Sequence, residues 1–203
     1  MTTVTAITAG LSRPSSTRLL TDRLTAALRR RLDATARIDT VELRELAHDV
    51  TDHLLVGFPS PRLRAVLDDV ATSDGLILVT PTFTASYSGL FKSFVDVVDP
   101  DALRGKPILL AATGGTERHS LMLDHAMRPV MSYLNAAPVP TAVYAAGADW
   151  GNDSALADRV DRAAAELADA MAGRPPAGTD DPFTDPIPFE ELLNRDDRPE
   201  TGR

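Results

Sequence analysis

The chain has 203 residues, of which 43% are hydrophobic and 25% charged, and this composition predicts one globular domain with a sizeable core. Its formal net charge of −8 disfavours non-specific binding to nucleic acid, which requires a basic surface. The absence of cysteine excludes disulfides, thiolate catalysis and cysteine-ligated metal centres, and the four histidines lack the spacing of a helical metal site.

The first half of the chain alternates strand and helix patterns. A β-branched run over 4–10 predicts a strand, and apolar residues at helical spacing over 16–32 predict a helix. A second strand is predicted over 36–43 and a second helix over 61–74. The segment between them, 44–60, has no readable pattern.

The second half repeats the alternation three more times. Strands are predicted over 75–80, 106–115 and 141–147, and helices over 88–98, 120–135 (disturbed at Pro129) and 153–173. Five strands alternating with five helices predict a parallel sheet covered on both faces. The third and fourth strands are fully apolar, which favours central positions in that sheet.

The composition changes after residue 172. Proline and aspartate are frequent among 173–203, so this segment is interpreted as a Pro-rich acidic C-terminal tail following a domain over 1–172. Two interpretations stay open, a solvated disordered end and an arm whose apolar residues dock on the domain or on a partner subunit. The N-terminus lacks a basic segment followed by an apolar one, and the chain lacks a long apolar span. We therefore expect a soluble cytoplasmic protein without a membrane partner.

The loop after the first strand is rich in hydroxyl groups and precedes a helix. Ligands of parallel α/β sheets bind at the carboxyl ends of the strands. The free N–H groups and the dipole of a helix start favour an anion there. An ordinary helix cap needs only one hydroxyl residue, so the loop is interpreted as a phosphate site. Its candidate residues are Ser12, Arg13, Ser15, Ser16 and Thr17.

The stretch after the third strand combines an aromatic side chain with several hydroxyls, which suits a planar heterocycle. Its candidate residues are Pro81, Thr82, Phe83, Thr84 and Ser86. The alternative interpretation is that Phe83 belongs to the core and the threonines merely favour extended backbone.

A Gly-Gly turn follows the fourth strand. Gly114 and Gly115, beside Thr113, would let the backbone approach a ligand closely, although such a turn alone is often only a turn. Together the three loops predict a site for a mononucleotide with a planar head, which FMN fits better than a dinucleotide. They hold no Ser-His-Asp set or carboxylate pair, so no catalytic side chain is assigned.

Three stretches, "GLSRPSSTRLL", "TPTFTASYSGLFKSFVD" and "LLAATGGTERHSLMLDHAMRPVMSYL", resemble the NAD(P)H-dependent FMN reductases of flavodoxin-like fold. The sequence "YSG" at 87–89 is similar to the branch that supplies reduced flavin to two-component monooxygenases. The resemblance implies a three-layer α/β/α sandwich with a five-stranded parallel sheet of order 2-1-3-4-5. It also implies FMN at the strand ends, with the three sets of residues above around it, and NAD(P)H as the hydride donor.

The leading hypothesis is therefore an NAD(P)H:FMN oxidoreductase that supplies reduced flavin to a partner monooxygenase. The family resemblance also implies a homodimer or homotetramer. Two alternatives stay open: a quinone, azo or metal-ion reductase with tightly bound FMN, and a flavodoxin-like electron carrier.

Overall fold

The structure of the protein is a computed structural model that describes residues 1–151 and 153–173. Its strands, in chain order, are β1 Thr3–Thr8, β2 Arg37–Glu42, β3 Gly75–Phe83, β4 Ser86–Tyr87, β5 Pro107–Gly114, β6 Ala137–Pro138 and β7 Val143–Ala146. The helices are α1 Ser16–Arg29, α2 Ala47–Val56, α3 Pro61–Thr72, α4 Gly89–Val97, α5 Pro100–Leu103, α6 Arg128–Tyr133 and α7 Asp153–Ala172.

The five long strands form one parallel sheet in the order β2-β1-β3-β5-β7. The predicted α/β fold and the predicted order of its five main strands are confirmed. Two short strands were not predicted: β6 runs parallel to the start of β5, and β4 pairs antiparallel with the end of β3.

Helices cover both faces of the sheet because its central strands are apolar on both sides. Leu76 and Leu78 of β3 pack against the layer that contains α2, α3, α4 and α6, whereas Ile77 and Val79 pack against α1 and α7. All four side chains are buried. The expectation that this strand lies at the centre of the sheet is confirmed.

The segment without a readable pattern contains a 3₁₀ turn over Leu43–Leu46 and helix α2. This helix escaped prediction because Val50 is its one buried residue, so it carries no apolar stripe. It ends at Gly57, whose φ of +79° is the left-handed conformation that glycine adopts readily.

The helix predicted over 120–135 is interrupted, as the proline in it suggested. A π-helical turn over Leu123–Met127 precedes α6, and Pro129 lies in the first turn of α6, where its missing N–H costs no hydrogen bond. Over the described residues, no helix has the length and apolar character needed to cross a membrane. The predicted tail lies outside the described residues, except for Gly173.

Candidate functional site

The three predicted loops lie together at the carboxyl edge of the sheet. They follow β1, β3 and β5, which are neighbouring parallel strands. Pro81 at the end of β3 lies in register with Thr113 at the end of β5. The strand order reverses between β1 and β3, and open α/β sheets bind ligands at such a reversal.

The first loop is shaped by the start of α1. The hydroxyl of Ser15 caps the helix and accepts a hydrogen bond from the Arg18 N–H at 3.2 Å. A Cβ atom at Gly10 would lie 2.1 Å from that hydroxyl oxygen, so only glycine lets the capping side chain sit there. The backbone N–H groups of Ser16 and Thr17 lie in the first turn, where the helix supplies no acceptor. These two N–H groups and the exposed Ser16 hydroxyl are donors of the kind that bind an anion at a helix start.

The Thr17 side chain makes contacts inside the protein. Its side chain is buried, and its hydroxyl lies 2.9 Å from the hydroxyl of Thr113. The same residue accepts a hydrogen bond from the Thr21 hydroxyl through its carbonyl. Two of the predicted site residues, Thr17 and Thr113, therefore tie the first loop to the third with their side chains.

The Arg13 side chain forms an ion pair with a glutamate of the same chain. Its Nη2 atom donates to Oε1 of Glu45 at 2.9 Å, and 72% of the Arg13 side chain is exposed, as is 52% of the Glu45 side chain. The neighbouring Ser12 side chain is exposed, and its carbonyl accepts a hydrogen bond from Nη1 of Arg44 at 2.9 Å. The loop is thus held from the 3₁₀ turn that follows β2.

A second group of charges lies beside the loop. Arg18 donates to Asp22 and to Glu42, each at 2.8 Å, and Glu42 also pairs with Arg44. The hydrogen bond to Asp22 is the largest influence on Arg18 and raises its pKa, against a smaller opposing effect of desolvation. Glu42 raises the pKa further, so Arg18 stays cationic while its charge is already balanced.

The second stretch is a β-hairpin rather than a loop. Thr82 pairs with Tyr87 and Phe83 with Ser86, and the two turn residues between them are Thr84 and Ala85. These have φ values of +49° and +64°, as in a type I′ turn, and a β-branched residue in that region is strained. Strain of this kind often accompanies a functional site.

Phe83 is 45% exposed at this hairpin, so the alternative that it belongs to the core is wrong. The preceding Thr80 is fully buried, and its hydroxyl accepts the backbone N–H of Ser88 at 3.0 Å. Thr80 therefore closes the base of the hairpin from within the protein. The predicted residues Pro81, Thr82 and Ser86 are half-buried, and Thr84 is exposed.

The third turn packs against a residue that the sequence did not indicate. Tyr144 of β7 is buried, and its hydroxyl donates to the Thr116 carbonyl at 3.1 Å and lies 3.3 Å from the Thr82 hydroxyl. A Cβ atom at Gly114 would come within 1.9 Å of the Tyr144 hydroxyl oxygen, whereas one at Gly115 would meet no atom within 4 Å. Gly114 thus serves packing, and Gly115 faces open space.

The turn after β7 is a fourth segment beside the site, and the sequence analysis did not predict it. A Cβ atom at Gly147 would lie 3.1 Å from the Gly115 carbonyl oxygen, so the two turns approach closely. Asp149 accepts the Ala146 N–H at 2.7 Å, which fixes this turn to the strand end. Its position after a fifth parallel strand could have indicated it.

A cavity of about 500 Å³ adjoins the site beside Tyr144. Both of its arginines are already paired: Arg128 with Asp124 at 2.9 Å and Arg159 with Asp149 at 3.0 Å. These arginines, like Arg13 and Arg18 beside the first loop, are balanced by carboxylates. The start of α1 in addition offers backbone N–H groups that have no acceptor within the helix, which favours it as the phosphate site.

The residues present fit the chemistry of FMN. The exposed hydroxyls of Ser12 and Ser16 and the first turn of α1 suit a phosphate. The exposed ring of Phe83 and the open space at Gly115 suit a planar ring. Within the described residues, there is no group of three or more histidines and carboxylates that could hold a metal ion.

A parallel sheet of this order, with ligand-type turns at its switch point, defines the flavodoxin-like class of α/β proteins. A family model described as NADPH-dependent FMN reductase matches residues 2–151. The chain belongs to this family.

Three relatives match this chain in sequence over nearly their whole length. An FMN reductase (NADPH) of Pseudomonas aeruginosa is 39% identical over 175 residues, which are 84% of this chain and 93% of that protein. The NADH-dependent FMN reductase SfnE of Pseudomonas putida is 38% identical over 174 residues, 84% of this chain and 92% of that protein. An oxidoreductase structure from Corynebacterium diphtheriae has 42% identity and a TM-score of 0.83, covering 86% of this chain and 99% of that one. The predicted FMN reductase activity, with FMN and a nicotinamide donor, is confirmed at the level of the family.

Proposed function

We propose that this FMN reductase uses FMN as an exchangeable substrate and releases reduced flavin to a separate monooxygenase. The observation that carries the proposal is the phosphate end of the site. There the helix start and exposed hydroxyls are available, while the guanidinium group of Arg13 and that of Arg18 are already paired with carboxylates. An anion site whose nearby cations must first leave a carboxylate favours moderate affinity and exchange.

The residues of the protein would bind and orient the flavin. Ser12, Ser16 and the first turn of α1 would hold the phosphate, and the hairpin tip at Phe83 with the turn at Gly115 would border the ring. When bound, FMN supplies the redox chemistry, accepting a hydride from the nicotinamide. The buried Tyr144 hydroxyl keeps the hairpin and the Gly-Gly turn at a fixed separation.

The relatives are named as FMN reductases, which supports FMN as the substrate, and their names leave the donor open. One is named as NADPH-dependent and another as NADH-dependent, at nearly equal identity to this chain. Both nucleotides therefore belong in the first assay.

The test compares bound with free flavin. Purified protein is dialysed extensively, its flavin absorbance is recorded, and NAD(P)H oxidation is followed with and without added FMN. We expect a colourless protein whose NAD(P)H oxidation depends on added FMN and saturates with it. A protein that stays yellow and oxidises NAD(P)H without added FMN would instead indicate the quinone, azo or metal-ion reductase with tightly bound flavin.

The electron-carrier alternative predicts a different result. Such a protein would bind FMN and yet react slowly with NAD(P)H in stopped-flow mixing.

Transfer of reduced flavin to a partner is tested by adding a flavin-dependent monooxygenase. Catalase is present to remove the peroxide that free reduced flavin forms with oxygen.

A homodimer or homotetramer is part of the same proposal. A groove between α4 and α6, lined by Val95, Val98, Val130 and Leu134, carries the side chain of Tyr133, which is 84% exposed. By contrast, Phe91 and Phe94 of α4 are buried in the core of the protomer and are not available to a partner. Sedimentation velocity would test the oligomeric state, and cell fractionation would test the predicted cytoplasmic location.

A further inference from the structure

We propose that Glu45 sets the affinity for flavin by competing with the FMN phosphate for Arg13. The inference rests on the proposed function in taking FMN as the ligand. It assigns to Glu45, which lies outside the three predicted loops, control over how firmly the phosphate is held.

The ion pair between Arg13 and Glu45 is exposed, so it can open at low cost. It joins Nη2 and Oε1 at 2.9 Å, and more than half of each side chain is exposed to solvent. Exposed pairs of this kind contribute little stability, so a doubly charged phosphate nearby can take over the guanidinium group.

The backbone that carries Glu45 is held in place, although the Glu45 side chain is exposed. Glu45 lies in the 3₁₀ turn whose Leu43 and Leu46 are buried, and its carbonyl accepts a hydrogen bond from Arg62 at 3.3 Å. From the same turn, Arg44 donates to the Ser12 carbonyl at 2.9 Å. The turn and the phosphate loop are therefore held against each other, which keeps the carboxylate within reach of Arg13.

Glu42 is a different case, although it lies close by. It pairs with both Arg18 and Arg44, and only 19% of its side chain is exposed. Breaking that cluster would leave partly buried charge unpaired, at a larger cost than opening an exposed pair. Arg13 is therefore the cation of this region that can change partner most easily.

The exchange has an electrostatic consequence. When Arg13 turns to the phosphate, the Glu45 carboxylate loses its partner and stays near a second anion. Both effects weaken binding relative to a site in which Arg13 has no competitor. The pair thus lowers flavin affinity, as a protein that must release its flavin requires.

The experiment uses Glu45→Gln, which removes the charge and keeps the shape. FMN and riboflavin are titrated into the flavin-free protein, and binding is read from the quenching of flavin fluorescence. We expect Glu45→Gln to bind FMN about two- to five-fold more tightly than the wild type, the range that an exposed ion pair supports. Riboflavin affinity should be unchanged because riboflavin has no phosphate.

The control is Asp52→Asn, which removes one negative charge from an exposed position on the neighbouring α2. It should leave FMN affinity unchanged. In an Arg13→Gln background, FMN binding should be weaker, and adding Glu45→Gln should give no further gain. Urea unfolding of each variant checks that its stability matches the wild type.

Four results would overturn the inference. These are an unchanged or weaker FMN affinity in Glu45→Gln, an equal gain for riboflavin, an equal gain in Asp52→Asn, and a gain that survives in the Arg13→Gln background. The proposed function fails separately, if the wild-type protein neither binds FMN nor oxidises NAD(P)H in its presence.

Discussion

Replacing Gly114 by alanine should damage both stability and the flavin site, while the same change at Gly115 should be tolerated. The added methyl group at 114 would lie 1.9 Å from the Tyr144 hydroxyl oxygen, 3.0 Å from Cζ of that ring and 3.5 Å from Cβ of Thr82. At Gly115 the same group would meet no atom within 4 Å. The two adjacent positions are therefore a matched pair.

The expected loss in the free energy of unfolding follows from the contacts that Tyr144 would lose. Overpacking a buried site costs about 1–3 kcal/mol, and the rotation of Tyr144 needed to relieve the contact would break its hydrogen bond to Thr116. A lost hydrogen bond adds about 1 kcal/mol. We expect Gly114→Ala to lower the free energy of unfolding by about 2–4 kcal/mol, and Gly115→Ala to change it by less than about 0.5 kcal/mol.

The assay is urea unfolding of the flavin-free protein, since bound FMN would stabilise the native state and mask part of the effect. The double variant Gly114→Ala with Tyr144→Phe removes the oxygen atom that makes the closest contact, and it should recover part of the loss. FMN titration should show weaker binding in Gly114→Ala. Equal stability of the two alanine variants, or no recovery in the double variant, would refute the packing role given to Tyr144.

Three further predictions concern other parts of the fold. Gly10→Ala would place Cβ 2.1 Å from the Ser15 hydroxyl oxygen, so we expect the helix cap to be displaced, a loss of about 1–3 kcal/mol in urea unfolding and weaker FMN binding in a fluorescence titration. Thr84→Gly should raise the free energy of unfolding by up to about 1 kcal/mol, because glycine adopts the φ of +49° without strain; a lower value in urea unfolding would contradict this. Glu166→Ala should cost about 1–3 kcal/mol in thermal unfolding, because Glu166 accepts hydrogen bonds from the N–H and the hydroxyl of Thr141 at 2.6 and 2.7 Å. It should leave NAD(P)H oxidation unchanged.

The main strands and their order could be predicted because they depend on local patterns and on one topological rule. The run over 75–80 is apolar at nearly every position, and such a run suits a strand buried on both faces. Crossover connections between parallel strands then bring the turns after β1, β3 and β5 to one edge. The location of the site needed no further information.

The roles of single residues could not be predicted in the same way because they depend on partners distant in the chain. Thr17 and Thr113 are 96 positions apart, and only the fold brings their hydroxyls to 2.9 Å. Arg13 looked like a phosphate ligand by type and place, yet its partner in the structure is a carboxylate from beyond β2. Tyr144 carried no local signal for its role, since the partners of its hydroxyl, Thr82 and Thr116, are distant in the chain.

These distant partners divide the predicted site residues into two layers. Thr17, Thr113 and Gly114 act inside the protein, joining the first loop to the third and packing the third against Tyr144. Some hydroxyl groups of these loops therefore hold the loops together. A count of hydroxyls in the sequence overstates how many can reach a ligand. The outer layer, with Ser12, Arg13, Ser16, Phe83 and Gly115, is small, and its single charge, on Arg13, is already paired with Glu45, which favours a flavin that binds, reacts and leaves.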